Sequence, residues 1–229
     1  MNKFLITTLA FIIIMLCTAA HAQPARAQQE ATPPVRVSPA NTQTPAAAAG
    51  FVTDSVYRND YFGLRISIPQ GWIVQGDDVK QRIREGGKEV IVKKDDQNKQ
   101  ELEAAVERTL NLLTISKFPL GERGQLNALV MAIAEPVPLA ATLSDYMKDL
   151  KAALQQTTVP VTLIEGEVET INGVRFTTVT ALLNPGDRTV RQKYYVTMKK
   201  GYALGLITSI LSESDTDLVN SIMKSVIVQ

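Results

Sequence analysis

Glu165, Glu167 and Glu169 alternate along one stretch of the chain. In an extended strand, side chains two positions apart share a face, so this spacing predicts three carboxylates side by side. Such a set offers the oxygen ligands that a hard cation such as calcium takes. A solvated sheet face, or pairing with neighbouring basic residues, is the plainer account of the same pattern. No Asp-x-Asp-x-Asp-Gly loop accompanies it. Arg191, Lys193 and Lys199 share one face of a later stretch with Tyr195 and Thr197. They form a candidate anion or partner patch, or equally the cationic complement of the glutamates, where a cross-strand pair contributes about 0.2–1 kcal/mol. Ser221 and Lys224 fit the Ser-x-x-Lys spacing of a nucleophile and its base. A pattern of four residues also arises often by chance. Trp72, Tyr57, Tyr61, Phe62, Phe176, Tyr194 and Tyr202 suggest an aromatic groove, although aromatics that flank turns and strands usually pack in cores.

The chain has a single cysteine, Cys17, and a single histidine, His21. Both fall in a segment patterned as a secretory signal peptide over residues 1–22. Lys3 supplies the positive start, Phe4 to Leu16 the apolar core, and Ala20-His21-Ala22 the small-residue cleavage pattern at Ala20 and Ala22. The apolar core is short for a membrane span of about 20 residues. The bulky Leu16 before Cys17 departs from a lipoprotein signal. Cleavage after Ala22 removes thiol and imidazole together. It leaves no disulfide, no thiol nucleophile and no Cys/His zinc site in the mature chain. It also removes Lys3, one of 24 basic residues, and none of the 23 acidic ones, so the mature chain is formally neutral. Neutrality argues against a nucleic-acid footprint. It argues equally against electrostatic attachment to anionic membranes. No other stretch is apolar enough to span a bilayer, so no transmembrane span is expected after cleavage. The expected location is exported, periplasmic or extracellular, with no cofactor implied.

Residues 23–53 mix Pro24, Pro33, Pro34, Pro39 and Pro45 with Gln, Ala and Thr. Such a segment has too little apolar area to offset its ordering entropy and is read as a disordered linker. Residues 54–229 are long enough for one domain with a full core. Asn59-Asp60 suggests a turn, and Leu64, Ile66 and Ile68 alternate as a half-buried strand. Helical stretches follow at 77–93, weakened or broken by Gly86-Gly87, and at 97–110. Leu112–Phe118 and Ala128–Ala134 read as strands joined by a loop that contains Gly121 and Gly124. Thr142 and Asp145 predict an N-cap for a helix running to about Gln156. The last third reads as a meander of strands Val161–Ile171, Val174–Leu183, Arg188–Lys199 and Tyr202–Leu211. Asn172-Gly173 is the strongest hairpin signal in it. Ser214 and Asp217 predict the cap of a final helix carrying Leu218, Val219, Ile222 and Val226. Strands grouped with helices at both ends predict an α+β fold, an antiparallel sheet covered by helices.

One set of residues carries a family pattern. It comprises Tyr57 and Phe62-Gly63-Leu64, then Ile66-Ser67-Ile68-Pro69-Gln70-Gly71-Trp72 and Ile171-Asn172-Gly173. Tyr194-Tyr195, Lys200-Gly201-Tyr202 and Ile222-Met223-Lys224-Ser225-Val226 complete it. Over roughly residues 56–229 the chain resembles the PsbP-like (Mog/PsbP-like) superfamily, which includes many exported bacterial proteins. The resemblance implies an α/β/α sandwich with a central, mainly antiparallel sheet. It implies no activity, since members such as a photosystem II extrinsic subunit and a Ran-binding protein act by binding other proteins. The metal-site histidines of plant PsbP have no counterpart in a mature chain without histidine. The resulting expectation is a non-catalytic exported domain that binds or assembles with envelope proteins through a sheet edge or the Leu112–Ala134 region. A small-ligand or calcium-binding extracytoplasmic protein is the alternative, and a Ser/Lys or carboxylate hydrolase a third.

Overall fold

The computed structural model describes residues 47–90, 104, 106–120, 127–155, 157, 159–184 and 188–229. Eleven strands and three α-helices are placed among them, in the order β1 Phe51–Thr53, β2 Val56–Asn59, β3 Leu64–Ser67, β4 Ile73–Val74, α1 Asp77–Val90, β5 Leu110–Ser116 and β6 Leu129–Pro136. Then follow α2 Leu143–Leu154, β7 Val161–Ile171, β8 Val174–Leu183, β9 Val190–Lys199, β10 Tyr202–Ile210, α3 Thr216–Lys224 and β11 Ile227–Val228. Seven strands form a sheet of order β4-β5-β6-β10-β9-β8-β7, and four form a smaller one of order β1-β2-β3-β11. The strand pairs are antiparallel.

The sequence dictates the large sheet's register at its hairpins. Asn172-Gly173 and Lys200-Gly201 all have positive φ, at 46°, 86°, 50° and 78°. Two successive left-handed residues are what a tight hairpin matched to strand twist requires. Strand β6 is buried along its length except at Pro136, and β10 is buried except for half-exposed Tyr202. Such continuous apolar strands need cover on both faces. On one face, Leu129, Met131 and Ile133 of β6 pack with Val179, Ala181, Tyr194 and Ile207 against Val79 and Ile83 of α1 and Tyr146, Met147, Leu150 and Leu154 of α2. On the other face, Val130, Ala132, Phe176, Tyr195, Leu204 and Leu206 meet Tyr57, Leu64 and Ile66 of the small sheet and Val219, Ile222 and Met223 of α3. Burying each such large side chain stabilises by about 1.5–3 kcal/mol. The fold is therefore α+β, as expected. Its second outer layer is a small sheet joined by α3, rather than the helices of the expected sandwich.

Helix α2 starts as the sequence predicts. The Thr142 hydroxyl accepts from Asp145 N at 3.1 Å, and Thr142 N donates to Asp145 Oδ2 at 3.2 Å. This reciprocal capping box satisfies two backbone donors at the helix start. Its hydrogen bonds hold the Asp145 carboxyl below its ordinary pKa of 3.8.

Other expectations are corrected. Within the stretch read as linker over 23–53, Ala47 is buried and Phe51–Thr53 pairs with Val56–Arg58. Helix α1 continues past Gly86-Gly87 to Val90. The helix expected to run to residue 110 stops before Leu110, where β5 begins. Ser212, not Ser214, caps the turn at Glu213–Asp215 that precedes α3, and α3 starts after Asp215 without a side-chain cap bond. The signal segment 1–22, most of 97–110 and the Gly121–Gly124 loop lie outside the described residues.

Strand β7 holds the largest departure from regularity. Glu165 pairs with Val179 and Val168 with Thr177, so Gly166 and Glu167 together oppose the single residue Thr178. This β-bulge needs glycine, because a Cβ at Gly166 would collide with Thr178 Oγ1 and with the Thr178 main-chain carbonyl. Gly166→Ala should therefore lower stability by about 1–3 kcal/mol in urea denaturation, as overpacking does. For α2, the folded Asp145 pKa lies below its unfolded value, so the cap stabilises above the ordinary carboxylate range and is lost as pH falls through the folded pKa. An NMR titration should place the Asp145 midpoint below 3.8. Asp145→Asn should flatten the loss of helix stability in acid.

Candidate functional site

The bulge at Gly166 decides the fate of the glutamate ladder. Before it, Glu165 sits opposite Val179, on the face covered by α2. After it, Glu169 sits opposite Phe176, on the face covered by the small sheet. The expected shared face for Glu165, Glu167 and Glu169 is therefore absent. The inserted residue shifts the alternation by one and turns the later side chains over. Glu165 takes the Lys151 ammonium of α2 at 2.9 Å, and Glu169 takes Lys193 at 2.5 Å. Glu167 lies in the bulge, where its main-chain carbonyl accepts from Thr178 Oγ1 at 2.9 Å. Among the described residues, no group of three acidic, histidine or cysteine side chains is placed to hold a metal.

Arg191, Lys193 and Lys199 do share a face with Tyr195 and Thr197, as their alternation predicts. Two of the three are held by carboxylates. Arg191 donates to Glu213 at 2.7 Å, and Lys193 pairs with Glu169 while lying 5.0 Å from the Tyr195 ring centre. Burial acts to lower the Lys193 pKa, but the Glu169 carboxylate and Tyr195 outweigh it and hold that pKa above the ordinary lysine value. The patch is thus largely the complement of the acidic residues around it.

Ser221 and Lys224 lie exposed on α3, and the Ser221 hydroxyl donates to the Leu218 carbonyl of its own helix at 2.7 Å. The aromatics pack as core. Tyr57, Phe62, Trp72 and Phe176 are buried on the small-sheet side, and Tyr194 on the opposite side. Tyr61, Phe62 and Tyr202 meet edge to face at centroid distances of 4.8, 5.3 and 6.1 Å. Lys200 caps this group, donating to the Tyr61 carbonyl at 2.6 Å with its ammonium 4.9 Å from the ring centre.

Three features were missed from the sequence. The first is the chain entry. Ala47 is buried, its carbonyl accepts from Asn59 Nδ2 at 3.0 Å, and Gly50 lies against the Tyr57 ring. Beyond it Phe51 and Val52 are 51% and 44% exposed on β1, the edge strand of the small sheet among the described residues. Beside them runs a groove of about 750 Å³ lined by Ala48 to Phe51, Asp60, Tyr61, Asp77, Lys80 and Leu112. The apolar pair Phe51-Val52 was the available signal, and the surrounding Pro/Ala composition masked it. The second is the pair Lys117–Asp215, at 2.7 Å, which joins the end of β5 to the start of α3. The third is buried Glu135, which accepts from the Tyr146 hydroxyl at 3.0 Å. Burial first, and then the Glu135 carboxylate, push the Tyr146 pKa well above its ordinary value.

The Asp215 side chain is 6% exposed and that of Lys117 38%. Losing the lysine would leave a buried carboxylate without its cation. Lys117→Ala should cost roughly 1–3 kcal/mol, below the range for a fully buried pair because Lys117 is partly solvated. Denaturant melts of Lys117→Ala, Asp215→Asn and the double variant should show strong coupling, with the double variant little worse than Lys117→Ala alone.

No protein-family model and no curated protein matches the chain. Among solved structures it is similar to cyanobacterial PsbP (CyanoP) from Synechocystis sp. PCC 6803. The identity is 20%, the TM-score 0.44, and the match covers 81% of this chain and 100% of that one. It is also similar to LpqN, involved in cell envelope biogenesis of Mycobacterium tuberculosis. There the identity is 12%, the TM-score 0.43, and the coverage 73% of this chain and 83% of that one.

Proposed function

We propose that this chain is an exported, non-catalytic module of the cell envelope that binds a partner protein along the β1 edge. The observation that carries the reading is the placement of Phe51 and Val52, half-exposed on a strand that forms the edge of the small sheet among the described residues, beside a groove of about 750 Å³. An open edge supplies main-chain donors and acceptors to an incoming strand, and a groove beside it supplies side-chain selection. Exposed large apolar residues grouped at one place are the mark of such a surface. The groove's charged residues are Asp60, Asp77 and Lys80, and Lys80 already pairs with Asp77 at 3.2 Å. An extended segment with one apolar side chain and a nearby lysine or arginine fits this lining.

The non-catalytic part of the proposal draws on where the charged groups point. Glu165, Glu169, Arg191, Lys193, Lys117 and Asp215 are each engaged in an ion pair across elements. Ser221 is turned onto its own helix. Export, to the periplasm or the exterior, is supported by the signal-like pattern from Lys3 to Ala22. In this reading residues 1–22 direct export. No helix among the described residues is long and apolar enough to cross a membrane.

A photoreactive residue placed at position 51 of the full chain, in cells that make the protein, tests the binding surface. A discrete adduct of one mass is expected at position 51 and none at position 164 of β7. The adduct at 51 should disappear in the Val52→Asp variant. Absence of an adduct at 51, or the same adduct at both positions, would contradict docking at β1.

A further inference from the structure

Asn172-Gly173 does more than turn a hairpin. The Asn172 side-chain amide reaches across to the end of α3 and donates both its protons there. Nδ2 lies 2.9 Å from the Lys224 carbonyl and 2.7 Å from the Val226 carbonyl. The Lys224 carbonyl is the last of α3, at the negative pole of the helix dipole, and the Val226 carbonyl lies just beyond the C-cap Ser225. The same helix end is tied to the small sheet. Ser67 N donates to Ser225 Oγ at 3.0 Å, and β11 pairs with β3. Asn172 therefore joins the β7–β8 hairpin to the layer that covers one face of the large sheet.

Asn-Gly is also the dipeptide most open to deamidation, because glycine has no side chain to shield its amide nitrogen. In that reaction the Gly173 nitrogen loses its proton to solvent base and attacks Cγ of Asn172. The Cγ–Nδ2 bond breaks, ammonia leaves, and a five-membered succinimide remains. One water molecule then opens the ring at either carbonyl, giving aspartate or isoaspartate. Neither product can do what the amide does, since a carboxylate has no proton to donate and would face two carbonyl oxygens, one of them at the negative end of a helix.

We propose that Asn172 is a deamidation site that the fold keeps closed, and that conversion there unlatches the hairpin from the last helix. Two features close it. Both amide protons are bound, so the leaving group is held. The tight turn also holds Asn172 at a φ of 46°, and the same two bonds hold its side chain on the end of α3, so they must break before the Gly173 nitrogen can close a ring on Cγ. Reaction then requires the hairpin to open first, and its rate follows the population of that opened state.

The experiment follows aspartate and isoaspartate at position 172 by peptide mapping of the full chain, incubated at mildly alkaline pH with and without urea. Conversion should be at least about tenfold slower in the folded chain, which spends little time open. Equal rates in the two states would overturn the closed site. The product is tested directly with Asn172→Asp, which keeps a residue able to adopt positive φ. Its Tm should fall by roughly 4–8 °C in a domain of this size. Amide exchange at residues 225–228 should accelerate with it. Asn172→Gly, which removes the amide without adding charge, should lose less. An Asn172→Asp variant that melts with the native chain, with unchanged exchange at 225–228, would overturn the latch.

Discussion

Strands β6 and β10 have almost no polar face, and the rest of the molecule follows from that. A sheet whose central strands are apolar on both sides cannot leave either side wet. One cover is α2 with α1. The other is the four-stranded sheet with α3. The helical cover packs elements adjacent in sequence to the strands they protect. The second cover gathers residues 56–67 from one end of the fold and 216–228 from the other. Its assembly depends on long-range ties, which are the Asn172 amide on the end of α3, the Lys117–Asp215 pair at its start, and the β3–β11 ladder between them.

The charged side chains serve this architecture. The basic and acidic residues that looked like binding patches meet each other across elements, with Lys151 on Glu165, Lys193 on Glu169 and Arg191 on Glu213. Such pairs are partly exposed and contribute little individually. Their larger effect is to leave few charged groups pointing toward a common space. The two sheets differ at their edges. Strand β7 is long, but a central bulge and three glutamates blunt it as a template for another strand. Strand β1 is short, uncharged except through its neighbours, and presents Phe51 and Val52. The proposed docking at β1 rests on that contrast.

Much of the fold was legible because its signals are local. Asn172-Gly173 and Lys200-Gly201 demand positive φ. Thr142 and Asp145 are three apart and cap reciprocally. The apolar run Ala128–Ala134 reads directly as a strand. The candidate site was less legible because its determinants are not local. Alternation assigned Glu165, Glu167 and Glu169 to one face, and the small residue between the first two was the one able to reverse it. Gly166 carries that information only once Thr178 is known to lie opposite. Lys117 and Asp215 are 98 positions apart, and no spacing rule connects them. Phe51 and Val52 were hidden in a composition that signals a linker, although the buried Ala47 already belongs to the core.

The large sheet persists only while both covers are in place, so the small sheet and α3 fold with it as one unit. Native-state hydrogen exchange measures this most directly. The amides of β2, β3 and α3 should share the opening free energy and denaturant dependence of those in β6 and β10, as members of one cooperative unit do. Exchange of β2, β3 and α3 through a separate, lower-energy opening, with β6 and β10 still protected, would contradict the account.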